Sequence, residues 1–206
     1  TLGQRGAALT PEESVSLRFG IGERHALRGD LLRSAEALRL AAIEAEQSGQ
    51  REQLAPILLQ SAATLAGLSV YAESIDAAER AREIWLSLND REHADQATIQ
   101  WAASWIALGN HQQAAPRLDQ ILAEGRASRP VTTAAALMAG WMRALQGHPD
   151  EAERLLERAL RGYEEINDSR GHALTLRRLH WVALARGEYQ RAYTLAHQAR
   201  VEYRSV

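Results

Sequence analysis

The stretch ARGEYQRAY, residues 185 to 193, decides how the rest of the sequence is interpreted. Its Gly187 is followed by a tyrosine at position 189 and an alanine at position 192. Such a glycine has two explanations. It lies in a loop that holds a ligand, or it ends one helix so that the next can begin. A helix joint recurs along a repeat protein, so the number of copies of the pattern distinguishes the two explanations.

The pattern around Gly187 occurs five times. Its anchor residues are Gly29, Ser69, Gly109, Gly147 and Gly187, which gives steps of 40, 40, 38 and 40 residues. Self-similarity at a fixed period of about 20 to 50 residues is the signature of a repeat architecture. The pattern therefore predicts that Gly187 is a joint between helices.

After each anchor, small or apolar residues follow at steps of three, four and three, which keeps them on one face of a helix. In the first copy these residues are Leu31, Ser34, Leu38 and Ala41. The later sets are Tyr71, Ser74, Ala78, Ala81; His111, Ala114, Leu118, Ile121; Pro149, Ala152, Leu156, Ala159; and Tyr189, Ala192, Ala196, Ala199. The anchor itself ends the preceding helix, where a left-handed residue is needed.

The segment before each anchor predicts a second helix that crosses the first at close range. A small residue recurs there at one position, namely Gly22, Ala62, Ala102 and Gly140, and only the last copy departs with His180. No segment alternates with a period of two, so no sheet is expected.

This order of helix, glycine and helix, with small residues at the crossing points, resembles the tetratricopeptide repeat. The resemblance covers about residues 15–201, but the period is near 40 rather than about 34, which implies about one more turn in each helix. The long-helix variant is similar to repeat domains of bacterial signal-transducing ATPases, large transcription activators and peptide-pheromone receptors. It implies an all-α fold, a right-handed α-α superhelix of about five helix-turn-helix repeats, in one domain over 1–206. The predicted repeats are approximately 15–50, 51–90, 91–128, 131–168 and 169–206.

Composition narrows the class of protein further. The 206 residues carry a net charge of −2, which gives no general attraction to nucleic acid or to an anionic membrane. No apolar run reaches the length of roughly 18 residues that a membrane span needs. There is no cysteine, which suits the cytoplasm, and no lysine, which excludes a P-loop and a Schiff-base enzyme. The first residue is Thr1, so we expect a piece of a larger protein.

The residues that could carry chemistry do not form a known motif. His172 and His180 lie eight apart, and no His-Glu-x-x-His sequence occurs among the seven histidines. Gly20 and Gly22 resemble part of a dinucleotide fingerprint, but the third glycine is missing. We therefore expect no enzyme activity, no cofactor and no metal.

A binding surface is expected instead, because in tetratricopeptide domains the first helix of each pair lines the concave face. By offset from the anchors, the predicted groove residues are Phe19, Glu23, Leu59, Gln96, Ile99, Leu137, Trp141, Arg177 and Trp181. The set is largely apolar, and it lacks the Lys, Arg and Asn residues that clamp an acidic C-terminus, except for Arg177. Trp141 and Trp181 occupy equivalent places, and either they face the groove or they belong to the core. Trp85, Trp101 and Trp105 are predicted to be packing residues.

The last repeat is locally basic through Arg177, Arg178, Arg186 and Arg191. These residues form either an anion-binding or nucleic-acid-binding patch, or an exposed helix face balanced by acids such as Glu188. The second interpretation is favoured, so no direct nucleic-acid partner is expected.

These observations predict a non-catalytic scaffold that binds a partner helix or peptide, or another domain of its parent chain, in an apolar groove. The alternative is a sensor domain that binds a small molecule or signalling peptide in a bacterial transcriptional regulator. A homodimer is a further possibility, since the final helix has no evident polar cap.

Overall fold

The computed structural model describes residues 9 to 205, and within that range it contains ten α-helices and no strand. The helices follow one another as α1 (Pro11–Leu27), α2 (Leu31–Gln47), α3 (Arg51–Gly67), α4 (Tyr71–Ser87), α5 (Arg91–Ala107), α6 (His111–Glu124), α7 (Arg129–Leu145), α8 (Pro149–Glu165), α9 (Ser169–Ala185) and α10 (Tyr189–Ser205). Nine of these ten helices have 17 residues and α6 has 14. The predicted all-α repeat architecture is confirmed.

The chain divides into two compact units, one ending at Ser104 and the other beginning at Trp105, inside α5. In the first unit α1 packs against α2, α2 against α3, and α3 against α4. In the second unit α6 packs against α7, α7 against α8, α8 against α9, and α9 against α10. Within each unit these helices thus pack mainly against their neighbours in sequence, as a repeat architecture requires.

Left-handed residues end the helices at the predicted anchors. Gly187 has φ of 77°, and the N–H of Glu188 donates to the carbonyl of Ala183 at 3.0 Å, which closes the last turn of α9. A Cβ at Gly187 would meet no atom within 4 Å, so glycine is required here by the backbone conformation and not by close packing. Gly187 is therefore a helix joint. The other anchors share this conformation, including Ser69 with φ of 62°.

The predicted crossing residues bring paired helices together. A Cβ on Gly22 would lie 2.8 Å from the Leu38 side chain, and one on Gly140 would lie 2.9 Å from Leu156 Cγ. Both leucines have no exposed surface. Close approach of the two helices in a pair therefore depends on the missing side chain.

Most residues of the predicted helix faces are buried. Ser34, Ser74, Ala114, Ala152 and Ala192, which occupy one repeat position, are at most 1% exposed. Trp85 and Trp101 are each 6% exposed, which confirms their predicted packing role, and Trp105 is half-buried.

The first helix begins at Pro11, four residues before the predicted start of the first repeat at position 15. A capping box explains the earlier start, because the Glu13 N–H donates to Thr10 Oγ1 at 3.2 Å and the Thr10 N–H donates to Glu13 Oε2 at 2.8 Å. The hydrogen bonds from Thr10 lower the pKa of Glu13.

Candidate binding cleft

A cleft of about 330 Å³ lies in the second unit, between the C-terminal halves of α7 and α9. We call it the aromatic cleft. Its lining consists of Trp141, Ala144, Leu145, Gly147, Pro149, Trp181, Val182 and Ala185. None of these side chains carries a charge. A concave apolar site of this size suits one or two apolar side chains of a ligand.

The two tryptophans reach the cleft because of the repeat period. Trp141 on α7 and Trp181 on α9 are 40 residues apart and share one repeat position. Trp181 is 53% exposed and Trp141 is half-buried. Next to Trp181 in the chain, the side chain of Val182 is 3% exposed. Trp181 thus adds a large exposed surface to the apolar lining of the cleft, and a contiguous apolar surface of this kind marks an interaction site.

His180 helps to fix the end of α9 that carries Trp181. It stands where the other copies have glycine or alanine, and its Nδ1 lies 2.9 Å from the carbonyl oxygen of Ala192 on α10. The rings of His180 and Trp181 meet edge to face, with centroids 5.5 Å apart. The exceptional residue of the last repeat therefore joins α9 to α10 through a hydrogen bond.

Beside the cleft, Arg178 lies over the ring of Trp141, with its guanidinium carbon 4.0 Å from the ring centroid. Its Nε is buried and has no hydrogen-bond partner. Burial, followed by the charge of Arg177, lowers the pKa of Arg178 to about 10. Arg177 is exposed, and its guanidinium carbon lies 5.8 Å from the ring centroid of Tyr203.

The other two arginines of the basic repeat are balanced by acids, as the favoured interpretation predicted. Arg186 and Arg191 both pair with Glu153, and Arg191 Nη1 also lies 2.9 Å from Glu188 Oε2. Burial alone would raise the pKa of Glu153, but hydrogen bonds from Arg191 and Arg186 outweigh it and lower that pKa.

The nine predicted groove residues are distributed unevenly. In the second unit, Trp141 and Trp181 line the aromatic cleft, Arg177 lies one helical turn before Trp181, and Leu137 is 1% exposed within the core cluster. Leu137 is therefore left out of the proposed surface. The five predicted residues of the first unit lie on α1, α3 and α5. Glu23 is exposed, whereas Phe19, Leu59, Gln96 and Ile99 are half-buried.

Sequence reasoning missed a larger groove of about 680 Å³ in the first unit, which α2, α3 and α4 enclose. Leu58 and Leu65 of α3 contribute to its lining, and Glu46 pairs with Arg80 at its rim. The spacing of seven between the two leucines is a signal, but it fits helix packing equally well. This groove has no aromatic residue in its lining, and aromatic residues are the ones enriched at binding hot spots.

The described part of the chain lacks two kinds of feature. Between residues 9 and 205, no three or more of His, Cys, Asp and Glu come together in a way that could hold a metal ion. None of the helices described there combines the length and the hydrophobicity of a membrane span.

Comparison with known proteins assigns the fold. Neither a family model nor a curated protein sequence matches this chain. Among solved structures, a Rap protein complexed with Competence and Sporulation Factor matches 95% of the chain at a TM-score of 0.83 and 18% identity. The apo quorum sensor NprR from B. thuringiensis matches 94% at 0.75 and 16%. The fold is a tetratricopeptide-like helical repeat.

The similar proteins are longer than the present chain. The Rap conjugation gene regulator of the plasmid pLS20, solved with the Phr* peptide, matches the whole chain at a TM-score of 0.83 and 14% identity. The present chain spans 56% of the first Rap protein, 55% of NprR and 59% of the plasmid regulator. The tetratricopeptide-like region of this chain thus corresponds to little more than half of each of these proteins.

Proposed function

We propose that this chain is a non-catalytic module that binds a short peptide in the aromatic cleft. The observation that carries the proposal is the exposed Trp181, which faces a charge-free apolar cleft together with Trp141. Tryptophan is among the residues that most often dominate binding energy, because it buries a large area with little loss of conformational freedom.

Three similar structures support a peptide as the ligand. The Rap protein was solved with Competence and Sporulation Factor, the plasmid regulator with the Phr* peptide, and NprR with its cognate peptide NprX. At 14–18% identity these likenesses describe the fold, and the ligand of the present chain is inferred from its own cleft. The cleft volume of about 330 Å³ favours one or two anchoring side chains.

A second candidate function follows from the same cleft. A short signalling peptide would make this chain the sensor domain of a bacterial regulator, whereas a segment of another protein would make it a scaffold. The size of the cleft favours the signalling peptide, because a helix laid in a groove needs anchors over at least two turns. The two tryptophans of the cleft lie on adjacent repeats, and a ligand can contact both without such an extended groove.

The proposal is tested with a random heptapeptide library captured on the immobilised chain. Retained peptides are resynthesised, and their affinities are measured by calorimetry for wild type and for Trp181→Ala. Loss of a hot-spot tryptophan should weaken binding by about thirtyfold or more. Tyr193→Ala is the matched control, because Tyr193 is a 68% exposed aromatic residue of α10 outside the cleft lining.

The outcomes separate clearly because Trp181 is exposed and its removal should leave the helices intact, as circular dichroism will show. Equal affinity of wild type and Trp181→Ala for every retained peptide would remove the cleft as the binding site. Retention of no peptide at all would remove the peptide-binding function. Binding that Tyr193→Ala weakens as much as Trp181→Ala would point to the surface of α10 instead.

A further inference from the structure

The guanidinium of Arg178 has no carboxylate partner among the described residues. Its Nε is buried and unbonded, and no carboxylate forms an ion pair with it in residues 9 to 205. Arg178 is half-buried, and partial removal of a charged group from water is costly unless the group is paired and hydrogen-bonded. Stacking on Trp141 offsets part of that cost, because a cation is attracted to the face of an indole ring.

The repeat scaffold does not need this charge. At the same repeat position the second and third copies have Gln60 and Gln100, and the fourth has Met138, all half-buried. Neutral side chains therefore fill the position elsewhere without loss of the fold. An arginine that the scaffold does not require, and that no acid neutralises within residues 9 to 205, points to a ligand that supplies the acid.

Two acids of the first half of α8 are already engaged with other arginines. Glu153 holds both Arg186 and Arg191, and Asp150 also pairs with Arg186. Arg177, the immediate neighbour of Arg178, adds a second positive charge on α9 and lies over Tyr203. Arg178 thus brings a positive charge to one side of Trp141, while the cleft lining itself is apolar and uncharged.

We propose that the ligand of the aromatic cleft carries a carboxylate that pairs with Arg178, next to an apolar side chain that inserts between Trp141 and Trp181. Because the guanidinium carbon lies only 4.0 Å from the Trp141 ring centroid, both groups belong to the same or adjacent residues of the ligand. The planar fork of arginine binds a carboxylate through two hydrogen bonds, which gives specificity as well as affinity. This inference rests on the proposed peptide-binding function.

Two sources could supply the carboxylate: the C-terminus of a peptide that ends in an apolar residue, or an Asp or Glu beside an apolar residue. The heptapeptide library is therefore prepared in two forms, with free and with amidated C-termini, and each is captured on wild type. Enrichment only in the free-acid form identifies the C-terminus. Enrichment of Asp or Glu next to an apolar residue in both forms identifies a side chain.

The variant that tests the contact is Arg178→Gln, which copies the residue of the second and third repeats. We expect the retained peptides to lose about tenfold or more in affinity, since hydrogen bonds to a charged group are stronger than neutral ones. Replacing the ligand's acid by its amide should cause a similar loss on wild type, and almost none on Arg178→Gln. Arg178→Lys keeps the charge but not the fork, and an intermediate affinity is expected.

The outcomes distinguish the carboxylate contact from the peptide-binding function of the cleft. Peptides that are enriched for apolar residues alone, and that bind Arg178→Gln as tightly as wild type, would overturn the carboxylate contact and leave the aromatic cleft intact. Retention of no peptide by wild type would overturn both. Were Arg178→Gln unfolded by circular dichroism, the acid-to-amide change in the ligand would test the same contact on the wild-type chain, and unchanged affinity there would overturn it.

Discussion

The two units use the same repeat position for different chemistry. Where adjacent repeats meet in the first unit, buried hydroxyl groups face each other, whereas in the second unit Ala152 and Val182 take the corresponding places within an apolar cluster. The hydroxyl pairs are Ser34 with Thr64, at 3.3 Å, and Ser74 with Ser104, at 2.8 Å. Both a hydroxyl pair and an apolar pair therefore fit between adjacent repeats at this position.

A similar contrast appears at the position that carries the cleft tryptophans. The first unit has the exposed Glu23 and Ala63 there, and the half-buried Ala103 in its third repeat. The second unit has Trp141 and Trp181. Alanine and a solvated glutamate offer little apolar surface for a ligand to bury, so binding is expected where the position holds tryptophan.

The largest expected effect tests whether the two units share one kind of core. Leu38 and Leu156 occupy the same repeat position and are both 0% exposed. Leu38→Ala and Leu156→Ala should each lower the free energy of unfolding by about 2–5 kcal/mol, because each leaves a cavity. Urea denaturation followed by circular dichroism measures the loss.

Leu32→Ala is the control for these core variants, since Leu32 lies in α2 but is 73% exposed. It should change stability by less than about 0.5 kcal/mol. A loss confined to one of the two core variants would break the equivalence of the units, and would show that one of them tolerates a cavity by collapsing around it.

The hydroxyl pair gives the next effect. Ser74→Ala leaves the Ser104 hydroxyl without its strongest partner and removes the bond from Ser74 Oγ to the Ala62 carbonyl, at 2.8 Å. We expect a loss of about 1–3 kcal/mol in the free energy of unfolding. The double variant Ser74→Ala/Ser104→Val copies the apolar pair of the second unit and should recover part of that loss. Additive losses, measured by urea denaturation, would show that the hydroxyl pair is not exchangeable for an apolar one.

The sequence predicted the fold because each anchor residue has a local cause. A left-handed joint and a small crossing residue are needed by the backbone itself. The residue type of Gly187 and of Gly140 therefore indicates its structural role directly. The period at which such residues recur then gives the number of helices. Neither observation depends on how distant parts of the chain meet.

The site was less predictable because exposure depends on neighbours. The mapping by offsets from the anchors placed both Trp181 and Leu137 on the surface, yet Leu137 is buried in the core cluster. The sequence groups Arg178 with Arg186 as part of a solvated helix face, although Arg178 lies over Trp141 and Arg186 pairs with acids. Periodicity assigns a residue to one face of a helix, but the side chains of the adjacent helix decide what it touches.

A smaller effect is expected at the joints between paired helices. Ser69 occupies the left-handed position that glycine fills at Gly187, with φ of 62°. Ser69→Gly should raise the free energy of unfolding by about 0.5–1 kcal/mol, because a side chain is strained in this conformation. Gly187→Ala should lower it by about 1 kcal/mol for the same reason. Thermal unfolding measures both, and a loss of stability in Ser69→Gly would contradict this explanation.

The smallest effect concerns Glu153, whose repeat position in the first unit holds the uncharged Ala35 and Ile75. The pKa of Glu153 is lowered in the folded state by its bonds to Arg191 and Arg186, against the opposing effect of burial. A lowered carboxyl pKa stabilises the fold above the ordinary pKa of glutamate, and that contribution disappears as the pH falls through the folded-state value. Glu153→Gln should therefore cost about 1 kcal/mol or less at pH 7 and nothing in strong acid. Chemical denaturation of both proteins from neutral to acidic pH should show their stabilities converging, with Glu73→Gln on the exposed face of α4 as the control. Parallel curves would mean that the arginines of the last repeat are held by Asp150 and Glu188 without help from Glu153, and the ion pairs would then not distinguish the second unit from the first.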